Sequence, residues 1–83
     1  MSARPQKHSL TLRGHRTSVS LEPDFWRAFR DIARARGIPL NELAAEIDAA
    51  RTAGDAPEMG LASAIRVHVL AHFRALAEGR ETG

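Results

Sequence analysis

The sequence predicts a mainly α-helical domain with one short N-terminal β-strand followed by three helices. Three observations carry this reading. Residues 16–21 alternate with period two, placing Thr17, Val19 and Leu21 on one face and Arg16, Ser18 and Ser20 on the other. Three later stretches carry apolar residues at helical spacing. Proline and glycine punctuate the chain where those stretches begin and end.

Each element follows from local chemistry. Residues 1–15 read as a basic N-terminal arm, with "SLTLR" as a candidate short strand. Leu10 and Leu12 alternate there, but Gly14 then shifts the phase, so a bulge or a turn is expected at that glycine. The first helix is expected at 23–36. Pro23 suits a first helical position, where a missing N–H costs nothing, and Asp24 complements the positive end of the helix dipole. Phe25, Phe29 and Ile32 share one face with Trp26 at its edge, and Gly37 offers a left-handed cap. A second helix starts near Pro39 or Leu40 and carries Leu43 and Ile47 on its apolar stripe. Gly54 ends it, so residues 16–53 form the core unit. Residues 54–60 read as a loop, 61–78 as a third helix and 79–83 as a tail. On the third helix Leu61, Ile65, Val69, Phe73 and Leu76 lie broadly together, while Val67 and Leu70 lie apart, which predicts two neighbours for that helix.

Composition narrows the function. A chain of 83 residues has room for one thin core, so support from a partner chain is expected. Hydrophobic residues at 43% are enough for a folded domain. The absence of cysteine removes disulfides and thiolate zinc sites. No apolar run reaches the roughly 20 residues of a membrane span, and no secretory h-region opens the chain, so a cytoplasmic protein is expected. Residues 1–16 carry four basic residues and no acid, whereas the remainder carries eight basic against ten acidic. A basic arm ahead of a nearly neutral body suits phosphate backbones, through Arg4, Lys7 and Arg13.

A lone strand poses a bonding problem, because buried backbone N–H and C=O groups must be paired. Two solutions are open. The "SLTLR" segment can fold back through Gly14 as a local hairpin, or the strand can pair antiparallel with its own copy in a second chain. The second solution makes a two-stranded ribbon that fits the major groove of B-form DNA. Its outer residues Arg16, Ser18 and Ser20 then reach base edges, Arg16 by a bidentate contact to guanine. Its inner residues Thr17, Val19 and Leu21 join Phe25, Trp26, Phe29, Ile32, Leu43 and Ile47 as core and dimer contacts.

Three stretches in this order, "RTSVSLE", "PDFWRAFRDIARARG" and "IPLNELAAEID", resemble the ribbon–helix–helix family of bacterial DNA-binding proteins. "GHRTSVSLE", the following "FW" and "SAIRVHVLAHFRA" are similar to a branch of small members with an extra C-terminal helix. The resemblance covers about residues 8–76. It implies an intertwined homodimer whose paired strands enter the major groove of double-stranded DNA, and a role in transcription regulation. By position it implies base reading by Arg16, Ser18 and Ser20. It also implies phosphate anchoring by the start of the second helix, at Leu40 and Asn41. Many members place Ser or Thr where this chain has Pro39, so a side-chain cap is missing here.

Other candidates are weaker. His68 and His72 sit at i and i+4, but a metal usually needs three or four ligands, so the pair reads as structural. Arg27, Arg30 and Arg34 read as a solvated face partly paired with Asp31. No nucleophile elbow, phosphate loop or zinc-protease motif is present, so neither an enzyme nor a cofactor is expected. The alternative function is a dimeric interaction module, antitoxin-like, that holds a protein partner through the C-terminal helix.

Overall fold

A computed structural model of the chain describes residues 4–54 and 58–82, the last three of these by backbone alone. Parts of the expected arm (residues 1–3), loop (55–57) and tail (83) lie outside the described residues. The element order is β1 (Gln6–Leu12), β2 (His15–Leu21), α1 (Pro23–Arg36), α2 (Leu40–Ala53) and α3 (Leu61–Thr82). The protein is therefore mainly helical, with a ribbon ahead of two helices and a third helix behind them.

The segment before Gly14 is the main difference from the sequence reading. Much of the expected arm is β1, which pairs antiparallel with β2 in the register Gln6↔Leu21 to Leu12↔His15. Arg13 and Gly14 take φ of 51° and 85°, the signature of a two-residue type I′ turn whose twist matches the flanking strands. Gly14 is the phase change itself: the two turn residues drop out of the alternation, and the parity switches across them. One edge of β2 thus finds its partner inside the chain.

The helices begin and end for local reasons. Gly37 takes φ 68° and donates its N–H to the Arg34 carbonyl at 3.1 Å, while Ile38 N–H reaches Ala33 O at 3.1 Å. These two bonds close α1 with a left-handed cap. Pro39 stands at the α2 N-cap with no side-chain bond, and its carbonyl accepts the N–H groups of Glu42 and Leu43. α3 continues through Gly79 to Thr82, past the expected end at residue 78.

The hairpin's inner face closes one side of the core. Leu10, Val19 and Leu21 pack with Phe29, Ile32 and Ala33 of α1, Leu43, Ala44 and Ile47 of α2, and Ala64, Ile65 and Val69 of α3. Phe25 and Trp26 are half-buried at its rim. Thr17 shares the inner face but is exposed, because it sits toward the turn, beyond the helices' cover. The apolar stripe of α3 divides: Ile65 and Val69 are buried, whereas Phe73 and Leu76 are not. No described helix is long and apolar enough to cross a membrane.

Candidate nucleic-acid interface

The hairpin sorts its side chains onto two faces by strand alternation. Register pairs Lys7 with Ser20, Ser9 with Ser18 and Thr11 with Arg16 on the outer face, and all six are exposed. No acid stands among them. Arg13, at the tip of the turn, and Arg4, before β1, are exposed as well. The sequence-predicted residues Arg16, Ser18 and Ser20 thus share one surface with Lys7. Ser9 and Thr11 also belong to it. The period-two pattern running back from Gly14 was the signal for them.

The backbone of the sheet has two outer edges, finished differently. A two-residue hairpin closes on a hydrogen-bonded pair, here Leu12 and His15. By alternation, the backbone groups of Lys7, Ser9 and Thr11 point away from β2, and those of Arg16, Ser18 and Ser20 point away from β1. Two side-chain bonds agree with this. Thr11 N–H donates to Asn41 Oδ1 at 3.0 Å, so the first turn of α2 clasps the β1 edge. On the other edge, Arg66 of α3 donates from Nη2 to Ser20 O at 3.2 Å and from Nε to Glu22 Oε1 at 2.9 Å. The Glu22 carboxyl is held below the ordinary carboxylate range, first by its own backbone N–H and then by Arg66.

Asn41 therefore has a structural task beside any phosphate role, since its side-chain oxygen is taken by β1. That bond also brings the α2 N-terminus, with Leu40 and Asn41, to the rim of the sheet. Helix N-termini present free N–H groups and favour anions. Arg66 and its partner Glu22 lie 44 residues apart in sequence, so no local spacing could have revealed their pairing.

The remaining candidates lie elsewhere. Arg27, Arg30 and Arg34 line a groove of about 400 Å³ with Gln6, His8 and Trp26, apart from the outer face. Arg27 approaches Asp24 at 3.9 Å rather than Asp31, and both side chains are largely exposed. His8 stacks on Trp26 with ring centroids 3.7 Å apart. His68 is half-buried, and its pKa is lowered by burial first and then by His72 and Arg36, with Glu46 opposing. His72 packs edge-on against Phe73. Among the described residues no three potential ligands gather for a metal.

A polar ribbon on a helical base, with a helix N-terminus at its rim, is the architecture of ribbon-type DNA-binding domains. The ribbon-helix-helix domain family matches residues 5–73, most of the chain, and this protein belongs to that family. Members generally bind DNA as dimers and act as regulators rather than enzymes. Neither a search of curated proteins nor one of solved structures finds a match.

Proposed function

We propose that this protein is a dimeric, DNA-binding transcriptional regulator. In this reading two copies join through the open edges of β2, giving a four-stranded sheet with β2 and its copy at the centre. Strand spacing of about 4.8 Å puts the two outer strands about 14 Å apart, against a major groove about 12 Å wide. The central pair reaches the groove floor, while the β1 strands meet its phosphate walls. Arg16, Ser18 and Ser20 then read base edges, and Lys7, Ser9 and Thr11 contact the backbone with Arg4 and Arg13. The α2 N-termini, at Leu40 and Asn41, flank the sheet and anchor further phosphates.

The observation that carries this reading is the acid-free outer face, with Arg16 placed across from Thr11 on the hairpin. In vitro selection from random duplex DNA tests it. The expected result is an enriched motif with twofold symmetry, bound with an affinity that falls steeply with salt as counterions are released. Arg16→Ala should change the preferred sequence by about 1–3 kcal/mol at one position, while Lys7→Ala weakens all sequences alike. Absence of enrichment, or equal losses on all DNA for Arg16→Ala, would refute base reading.

A further inference from the structure

The large hydrophobic residues exposed among the described residues all stand on α3: Val67 at 56%, Leu70 at 57%, Phe73 at 43% and Leu76 at 48%. Val67, Leu70 and Phe73 join Val69 and Phe25 of α1 around an open groove of about 320 Å³. Only Arg66 contributes a charge to its lining, and that guanidinium is already engaged by Glu22 and Ser20 O. We propose that this groove is occupied by a second copy of the chain, as the apolar half of an interface whose polar half is the open edge of β2. The inference rests on the dimer proposed above and assigns the surface that holds it together.

Continuity is the first argument. Arg66 lines the groove and bonds the outward carbonyl of Ser20, so groove and strand edge lie on one flank of the molecule. A twofold axis that pairs β2 with its copy brings that flank of each chain toward the other. Such an interface is isologous, with the same patch on both sides.

Area is the second. A seven-residue strand edge buries far less than the roughly 1,600 Å² of a standard interface, so a ribbon alone does not make a stable dimer. The exposed apolar side chains of α3 supply the further area that a dimer needs beyond the strand edge. Charge is the third argument. The groove offers no free charge to select an acidic or basic partner, and an uncharged apolar patch is complementary to itself.

Sedimentation of the full chain over a range of concentrations tests the proposal with three variants. Leu70→Glu places a charge in the groove, Leu70→Ala only removes contact area, and Ser18→Pro removes an outward N–H from the β2 edge. The wild type should dimerise. Leu70→Glu should weaken dimerisation about a hundredfold or more and Leu70→Ala about tenfold, each with helical circular dichroism unchanged. Dimers of undiminished affinity in both Leu70 variants would overturn the groove assignment and leave the ribbon intact. Loss of dimer in the Leu70 variants with none in Ser18→Pro would support the groove and refute the paired strands. A wild type that stays monomeric at every concentration, alone and on DNA, would refute both.

Discussion

The two edges of the sheet are built from neighbouring strands of equal length, and each is bonded at one point, β1 by α2 near the turn and β2 by α3 at the far end. At β1 the Asn41 side chain takes up the Thr11 N–H, and α2 stands alongside. At β2 the Arg66 guanidinium of α3 occupies the Ser20 carbonyl, which leaves Arg16 and Ser18 uncovered among the described bonds, as Lys7 and Ser9 are on β1. An exposed strand edge is a template for further pairing, and natural proteins usually blunt it. In the dimer proposed above, the second ribbon adds at the β2 edge.

Four perturbations probe that difference. The largest effect is expected beneath both edges. Val19→Asp buries a carboxylate in the core and should cost about 4 kcal/mol or more, read as loss of the cooperative urea transition. Both edges should disappear with it. Gly14→Ala leaves the new methyl in open space but forces it into a left-handed backbone at φ 85°. A loss of about 1–2 kcal/mol in the urea midpoint is expected, and no loss would contradict the type I′ turn. Asn41→Ala removes the clasp at the β1 edge. It should lower stability by about 1 kcal/mol and speed hydrogen exchange at Thr11 relative to Ser9. Unchanged exchange at Thr11 would show that the bond does not form in solution.

The smallest effect belongs to the β2 edge and depends on pH. Glu22 ionises more readily in the folded protein than in the unfolded chain, so the unfolded state binds more protons in the acid range. Its stabilising contribution is present above the ordinary glutamate range and fades as pH falls through the depressed value. Glu22→Gln should flatten the stability profile there and leave the slope near neutrality alone. A profile that superimposes on the wild type throughout would remove Glu22 from the account.

The helices were legible because their signals are local. Pro23 and Gly37 bound α1, Gly54 follows α2, and the Phe25–Phe29–Ile32 spacing points one face inward. The hairpin was only half legible. Along β1 the inner face reads Gln6, His8, Leu10, Leu12, with two polar residues in four, so the period was too faint to separate from an arm. Only the phase shift at Gly14 marked the turn. The outer-face residues Arg16, Ser18 and Ser20 followed from alternation alone. The two edge clasps did not, since Asn41 meets Thr11 from 30 residues away and Arg66 meets Glu22 from 44. Periodicity likewise placed Phe73 and Leu76 on an apolar side of α3 without revealing that the chain itself leaves that side uncovered.

The chain contains one tryptophan, and it lies flat against a histidine of β1, with the rings 3° from parallel. Trp26 belongs to α1 and His8 to the hairpin, so this contact exists only while the ribbon rests on its helical base. Stacking on the imidazole sets the environment of the indole, so its emission follows this contact. The molecule therefore carries an intrinsic optical gauge of ribbon docking, with a single emitter and no label. A change in emission on unfolding, or when DNA draws on the hairpin, would report the movement of one strand against one helix.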